Sequence, residues 1–317
     1  MHTESSPLVN YPPASEQLRP LLQKTSRTFA LTIPLLPEPL QTDIAVAYLL
    51  FRIIDTFEDA THWTPERRTA ALASFVELLD GSGDLAAARQ ATDRWSSDPP
   101  LDHAGYLELL AATPAVIQWY QDRQPAAREQ LRRHVTRSAR EMIDIVQRTG
   151  ADGVLQLETI EDLRRYCFSV AGLVGQILTE LFLLQSPSGE RVAGDLRACA
   201  VEFGEALQLV NILKDAGADA AEGRVYLPRL VPRAEVFQMA RADLRRAIEY
   251  TNLLRSAGVD QGIVAFNTLN ARLAISTLHL LREKGPGAKL TRLQVTGIAS
   301  EVLSAVDNGT ALFPESP

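Results

Sequence analysis

Two stretches of the sequence carry polar side chains at spacings that favour shared chemistry. In the first, Tyr48, Arg52, Asp55 and Asp59 occur at offsets of 0, 4, 7 and 11 residues. At about 100° per residue, these positions fall within roughly 60° of one another on a helix. The residues between them are almost all apolar, which predicts a buried helix with one polar stripe. An arginine and two carboxylates in such a place need counter-charges or ions.

A second stripe repeats this pattern, with Gln208, Asn211, Asp215 and Asp219 at offsets of 0, 3, 7 and 11 residues. These positions span roughly 80° of a helix. Either stripe alone is most simply interpreted as a solvated helix face, but two stripes that both end in Asp-x-x-x-Asp favour a common site. The sequence leaves open whether the two helices face each other.

Carboxylate pairs of this kind suit magnesium and a phosphorylated substrate. Two aspartates four residues apart lie about 6 Å apart along the helix axis, and unpaired like charges at that spacing are destabilising. Magnesium prefers hard oxygen ligands and is usually held by one or two carboxylates together with substrate phosphates. Arg27, Arg52, Lys214 and Arg224 add cations suited to phosphate. We therefore predict a site for Mg²⁺ and a diphosphate.

The elements that must position these residues are helices. Apolar periodicity predicts helices almost throughout, and strand signals are scarce, with 225–227 too short to matter. Residues 1–14 are predicted to be a flexible leader, and residues 15–317 a single all-α domain. Helices are expected at about 15–24, 38–60, 65–79, 84–98, 102–111, 114–148 with a break near residue 125, 158–184, 191–218, 233–254, 259–283 and 291–306.

A third polar feature lies in the predicted helix over 158–184. Gly172 and Gly175 each cost about 1 kcal/mol there relative to alanine, so close approach by another helix or by a ligand is expected to compensate. Both explanations stay open. Tyr166 can stack on a carbocation, donate a proton or pack in the core.

Composition excludes some classes of function. The 317-residue chain has a formal net charge of -7 and a pI of about 5.4, which gives no support for nucleic acid as a partner. Cys167 and Cys199 lack metal-ligand spacing and are predicted to be reduced core residues. We find no secretory signal, and the apolar run at 170–184 is too short to span a bilayer. We expect a cytoplasmic protein; peripheral membrane contact and the oligomeric state are left open.

Five motifs, in order and at similar spacing, resemble those of the squalene/phytoene synthase family. This resemblance implies an isoprenoid-synthase-like helical bundle around a central cavity, with two aspartate motifs facing each other across its mouth. It also implies magnesium-dependent, head-to-head joining of two prenyl diphosphates. The motifs are Ser26-Arg-Thr-Phe29, Tyr48 to Asp59, Tyr166 to Gly175, Gln208 to Asp219, and Glu222-Gly-Arg-Val-Tyr-Leu-Pro228.

The resemblance also implies roles for single residues. The family often has Arg where Lys214 stands and Glu where Ala218 stands, so this chain has one carboxylate fewer there. By the resemblance, Asp55, Asp59, Asp215 and Asp219 bind Mg²⁺ with help from Gln208 and Asn211; Arg27, Arg52, Lys214 and Arg224 hold diphosphate; Tyr48 and Tyr166 lie near the reacting carbons; and Ser26 and Phe29 lie near the donor substrate.

The product is a finer question. The form of residues 55–59, 264–267 and 274–278 is similar to squalene synthases, whereas 223–228 is shared with phytoene synthases. The resemblance favours two farnesyl diphosphates converted through presqualene diphosphate to squalene. NADPH in the last step is implied by the resemblance alone, since no glycine-rich dinucleotide fingerprint is present. Alternatives are phytoene or dehydrosqualene synthesis, an enzyme that stops at presqualene diphosphate or hydroxysqualene, and a non-catalytic prenyl-binding helical protein.

Overall fold

Helices make up nearly all of the regular structure in the computed structural model, which describes residues 14–81, 84–149, 155–221, 223–314 and 317. Two short strands, β1 (Leu155–Gln156) and β2 (Arg224–Val225), pair in parallel. The α-helices are α1 (Ala14–Thr25), α2 (Phe29–Thr32), α3 (Leu40–Glu58), α4 (Pro65–Asp80), α5 (Leu85–Ser96), α6 (Ala104–Ala111), α7 (Thr113–Gln121), α8 (Pro125–Gln147), α9 (Ile160–Cys167), α10 (Leu173–Gln185), α11 (Ala193–Ala221), α12 (Arg233–Ser256), α13 (Gln261–Lys284) and α14 (Arg292–Asp307).

The predicted all-α class is confirmed, with one local correction. The break expected near residue 125 is also confirmed, because Pro125 lacks an amide hydrogen and begins α8 at its first position. The strand β2, in the stretch predicted to be too short to matter, is paired with β1 and carries a residue of the site. Residues 1–13 of the predicted leader lie outside the described residues, and the division into a leader and one domain stays a prediction.

The two stripes lie on the long helices α3 and α11. Helix α3 is buried on most of its surface and packs against α1, α4, α8 and α10. Helix α11 packs against α10, α12 and α13. Asp55 is in the last turn of α3 and Asp59 caps it, while Asp219 is in the last turn of α11. Both stripes therefore lead to the carboxyl ends of core helices.

Helices α9 and α10 form one continuous run interrupted by a π-helical segment, Phe168–Gly172. The hydroxyl of Ser138 on α8 donates a hydrogen bond of 2.6 Å to the carbonyl oxygen of Ser169 in this segment. Just after it, a Cβ on Gly175 would lie 1.8 Å from the carbonyl oxygen of Ala200. Gly204 on α11 makes the reciprocal contact, 2.0 Å from the carbonyl oxygen of Ala171. Close packing of α10 on α11 thus explains these glycines.

The run Ile160–Gln185 is the one described helix that is long and apolar enough to cross a membrane, with a mean hydropathy of 1.8. It is longer than the 170–184 stretch on which the sequence-based expectation rested. Of its most apolar 18-residue window, a share of 56% is buried inside the fold, where the run packs against α8 and α11. Such burial is what a core helix shows.

A buried ion cluster ties α9, α11 and α12 together. Arg164 on α9 donates a hydrogen bond of 2.6 Å to Glu205 on α11 and another to Asp243 on α12. The carboxylates of Glu205 and Asp243 are almost fully buried. Burial raises the pKa of Glu205 to about 7, and Arg164 offsets this only in part.

This pKa predicts how stability depends on pH. Because the pKa of Glu205 in the folded protein lies above its ordinary value of 4.5, the stabilising contribution is full below pH 4.5 and is lost as the pH rises through about 7. We expect the free energy of unfolding, measured in urea, to fall less between about pH 5 and about pH 7.5 in Glu205→Gln than in the wild type. If the free energy of unfolding of the two proteins changed with pH in the same way, the prediction would be wrong. Asp243 is present in both proteins and therefore cannot cause a difference between them.

The close contact at Gly175 gives a second prediction. Gly175→Ala places a methyl group against the backbone of α11 and should destabilise the protein by about 1–3 kcal/mol or more in chemical denaturation. Gly297, in the exposed part of α14, has no neighbouring atom within 4 Å of the position that a Cβ would take. Gly297→Ala should instead stabilise by about 0.5–1 kcal/mol through helix propensity. Equal effects of the two substitutions would show that the α10–α11 contact is not tight.

Candidate active site

Two adjoining cavities lie between α3, the α9–α10 run and α11. The larger, of about 920 Å³, is polar, and all four stripe aspartates line it. The smaller, of about 310 Å³, is mostly apolar and extends toward α13. Seven residues line both cavities, so the polar chamber continues into the apolar one: Ser26, Arg52, Asp55, Val170, Gln208, Asn211 and Lys214.

The first acid motif is crowded with buried negative charge. Burial raises the pKa of Asp55 to about 7, and Arg52, at 3.5 Å, offsets this only in part. Glu58 also lines the polar cavity, and its pKa is raised to about 8, first by burial and then by neighbouring Asp59. The Oε1 atom of Glu58 is buried and accepts no hydrogen bond, and the guanidinium of Arg68 lies 3.8 Å from it.

The second acid motif has a cation on its own helix. Lys214 Nζ lies 3.2 Å from Asp215 Oδ2 and donates a hydrogen bond of 2.9 Å to Asn211 Oδ1. Lys214 faces both cavities, whereas Asp215 and Asp219 line only the polar one. The lysine that stands where the family often has arginine thus points into the predicted site.

One arginine joins the two motifs. Arg224 Nε lies 3.3 Å from Asp59 Oδ1, and Arg224 Nη2 lies 3.7 Å from Asp219 Oδ1. Tyr226, two residues later, donates a hydrogen bond of 3.5 Å to the same oxygen of Asp59. The two aspartate motifs therefore line the same cavity and are close enough for one guanidinium to contact both. The sequence alone could not show this.

Arg52 is held among aromatic rings and hydroxyls. Its guanidinium carbon lies 5.6 Å from the ring centre of Tyr48 and 5.3 Å from that of Tyr106, close enough for cation–π attraction. Its Nε donates a hydrogen bond of 3.3 Å to the Tyr48 hydroxyl, which in turn donates one of 2.8 Å to the carbonyl oxygen of Thr25. This arrangement fixes the guanidinium beside Asp55 at the junction of the cavities.

The ring of Tyr166 packs against another ring, and its side chain lines the polar cavity. Its ring stacks on that of Tyr226 with centroids 4.5 Å apart. Burial raises the pKa of each hydroxyl well above its ordinary value, so both stay protonated at neutral pH. Of the three roles that the sequence left open, core packing is present in the structure, and the hydroxyl is placed to act as a donor.

The remaining predicted residues divide between the cavities. Phe29 and Tyr48 line only the apolar cavity, and their rings lie 5.3 Å apart. Arg27 lines only the polar cavity. Ser26 lines both, and its hydroxyl accepts a hydrogen bond of 3.0 Å from the amide of Phe29. Every residue predicted for the site thus lines at least one of the two cavities.

The residues present fit a hard divalent cation. The donor set consists of carboxylate, amide and hydroxyl oxygens, and the orphaned oxygen of Glu58 shows that the first motif has too little positive charge. Over the part of the chain that the structure describes, no three Asp, Glu, His or Cys side chains converge on one point. Cations held here would therefore take one or two carboxylates each and complete their coordination with substrate phosphate and water.

Several cavity residues were not predicted from the sequence. Glu58 could have been found, since it lies three residues from Asp55 and so near the same helix face. Tyr226 could have been found by period-two alternation from Arg224. His103, which caps the start of α6, and Tyr106 also line the polar cavity, and only tertiary packing brings Tyr106 to Arg52.

Known proteins are similar to this chain in sequence and in fold. The chain is 29% identical over 211 residues to the squalene synthase of Eremothecium gossypii, covering 66% of this chain and 45% of that protein. It is 29% identical over 181 residues to the chloroplastic phytoene synthase of Daucus carota, covering 52% of this chain and 40% of that protein. The solved structure of TcSQS with the ligand E5700 matches with a TM-score of 0.75 at 26% identity, covering 90% and 85% of the two chains.

The matched region thus amounts to less than half the length of these two curated relatives. A family model described as squalene/phytoene synthase matches residues 22–236, about two thirds of the chain. That range contains both acid motifs, Arg224, Tyr166 and Tyr226. The chain belongs to the squalene/phytoene synthase family.

Proposed function

We propose that this protein is a magnesium-dependent prenyltransferase that joins two prenyl diphosphates head to head. The observation that carries the proposal is the continuity of two unlike cavities. A chamber of about 920 Å³ with four aspartates and four strong cations suits diphosphate groups and metal ions. The adjoining apolar cavity of about 310 Å³ suits a prenyl chain. Family membership supports the same reaction class.

The chain's own residues divide the work in this proposal. Arg27, Arg52, Lys214 and Arg224 bind the diphosphate groups in the polar chamber. Asp55, Asp59, Asp215 and Asp219, with Asn211 and Gln208 beside them, hold Mg²⁺. When bound, the metal supplies positive charge that stabilises the departing diphosphate.

The residues of the apolar cavity are proposed to control how the carbocation reacts. Phe29, Tyr48 and Phe266 bring aromatic faces to the smaller cavity, where they stabilise positive charge and exclude water. Loss of diphosphate from one substrate leaves an allylic cation, which the double bond of the second substrate attacks, and loss of a proton then closes the cyclopropyl diphosphate. Loss of the second diphosphate and rearrangement leave another allylic cation, which would accept a hydride, supplied by NADPH, to give squalene or would lose a proton to give an unreduced hydrocarbon. Tyr166, protonated and at the wall of the polar chamber, is proposed to orient or donate to the departing diphosphate.

For the product, we propose squalene from two farnesyl diphosphates, with NADPH as the hydride donor. Support comes from the form of the first acid motif and from relatives named squalene synthase. A relative named phytoene synthase at similar identity keeps phytoene and dehydrosqualene as the alternative products. We further propose a cytoplasmic location with peripheral membrane contact, because an apolar product must leave the cavity for a lipid phase.

The reaction and product are tested together by product analysis. Purified protein is incubated with Mg²⁺ and labelled farnesyl or geranylgeranyl diphosphate, with and without NADPH, and the extracts are separated by chromatography with mass detection. We expect farnesyl diphosphate to give presqualene diphosphate without NADPH and squalene with it. A forty-carbon product would overturn the squalene assignment, and an oxygenated or cyclopropyl end product with NADPH present would indicate a partial enzyme.

The catalytic role of the acid motifs is tested by Asp55→Ala and Asp215→Ala. Each change removes a carboxylate proposed to hold metal, so release of diphosphate should fall at least about a hundredfold, an ordinary loss for a group that stabilises departing charge. Asp84, which caps α5 away from both cavities, provides the control variant Asp84→Asn with near wild-type release. Unchanged magnesium-dependent release in both alanine variants would contradict the catalytic role of the acid motifs, whereas no release from the wild type would favour a non-catalytic prenyl-binding protein.

A further inference from the structure

Arg224 has a different setting from the other cations of the polar chamber. Its guanidinium pairs with Asp59 of the first motif and Asp219 of the second, at 3.3 Å and 3.7 Å. Arg52 and Lys214 instead pair within their own helices, with Asp55 and Asp215. Within the described ranges, no carboxylate is ion-paired with Arg27.

The backbone holds Arg224 in this place. Arg224 lies in β2 opposite Leu155 of β1, and the amide of Leu157 donates a hydrogen bond of 3.2 Å to the carbonyl oxygen of Val225. Tyr226, which follows β2 and lies two residues after Arg224, also donates a hydrogen bond of 3.5 Å to Asp59. The arginine is therefore built into the mouth of the chamber between the two acid motifs, and its side chain is only 16% exposed.

A cation at this position competes with a metal ion. The guanidinium lies within 4 Å of Asp59 Oδ1 and Asp219 Oδ1, and these are oxygens that the proposed function assigns to metal binding. Two cations beside the same oxygens repel each other, so a bare metal ion must displace the guanidinium or bind without these ligands. A diphosphate group offers the guanidinium an alternative bidentate partner, which sets both aspartates free.

We propose that Arg224 is an internal stand-in for the metal, which bridges Asp59 and Asp219 in the metal-free protein and moves to the diphosphate when substrate binds. This inference rests on the proposed function and adds an order of assembly to it. Bare metal binds weakly because it must break the bridge, and diphosphate and metal strengthen each other's binding through Arg224. Contacts between basic residues and diphosphate, which family membership implies, do not by themselves require an arginine that competes with the metal.

Separate titrations with the metal alone and with diphosphate alone test this inference. Mn²⁺ binding is followed by electron paramagnetic resonance without diphosphate, and inorganic diphosphate binding by calorimetry in the presence of a chelator. For Arg224→Gln we expect Mn²⁺ affinity to rise by about fivefold or more, the lower end of ordinary coupling between sites, while diphosphate affinity falls. Competition predicts that the two affinities change in opposite directions, with a rise for Mn²⁺ and a fall for diphosphate.

Arg27→Gln is the matched control, because it removes one positive charge from the same chamber without touching an ion pair of the acid motifs. Its diphosphate affinity should also fall, but its Mn²⁺ affinity should stay within about twofold of wild type, as expected for a screened charge. R224K keeps the charge but lacks the planar fork, so it should raise Mn²⁺ affinity less than R224Q. It replaces R224Q should that variant fail to fold.

The outcomes separate the inference from the function on which it rests. Wild-type protein that binds neither Mn²⁺ nor diphosphate would overturn the proposed function and the inference together. Binding of both, with Mn²⁺ affinity unchanged or weakened in R224Q and R224K, would overturn only the inference. An equal gain in Mn²⁺ affinity for Arg27→Gln would also overturn it, because the effect would then be general electrostatics.

Discussion

Four carboxylates are gathered at the carboxyl ends of two buried helices, and the rest of the site is arranged around the repulsion among them. Burial raises the pKa of Asp55, and the negative ends of the dipoles of α3 and α11 disfavour further negative charge at these ends of both helices. Arg52, Lys214 and Arg224 offset part of this cost at distances of 3.2–3.5 Å. The raised pKa of Asp55 and the orphaned oxygen of Glu58 show that the compensation is incomplete. An acidic protein thereby acquires a need for cations, and through cations an affinity for an anionic substrate.

The fold keeps this charge next to an apolar space. Glycines at 175 and 204 bring α10 and α11 into backbone contact, and the π-helical segment before them aligns Val170 with the junction of the two cavities. Arg164 then fixes α9 against α11 and α12 through two buried carboxylates. In the proposed reaction, the carbocation would lie in a cavity lined mostly by apolar side chains, which would limit its contact with water.

Periodicity in the sequence was sufficient to find the stripes, because a helix repeats every 3.6 residues whatever it packs against. The sequence also indicated a close approach at Gly172 and Gly175 without deciding between a helix and a ligand, and at Gly175 the neighbour is the backbone of α11. Arg224 was placed near the site because it follows the second stripe. The sequence could not show that Asp59 and Asp219 share one guanidinium, because that depends on how α3 and α11 pack. Tyr106 reaches Arg52 from another helix and leaves no trace in the local pattern. The break near Pro125 was predicted from the sequence, whereas the pairing of β2 with β1 depends on the tertiary structure.

A double-mutant cycle tests most directly whether the two acid motifs bind the same metal ions and the same diphosphate. Mg²⁺-dependent binding of the unreactive thiolodiphosphate analogue of farnesyl diphosphate is measured for the wild type, Asp59→Asn, Asp219→Asn and the double variant. If both aspartates serve one cluster of metal ions and one diphosphate, the losses in binding free energy should differ from additivity by about 0.5–3 kcal/mol, the range for residues that share a network. Strictly additive losses would contradict the account, because they would mean that the two motifs bind independently.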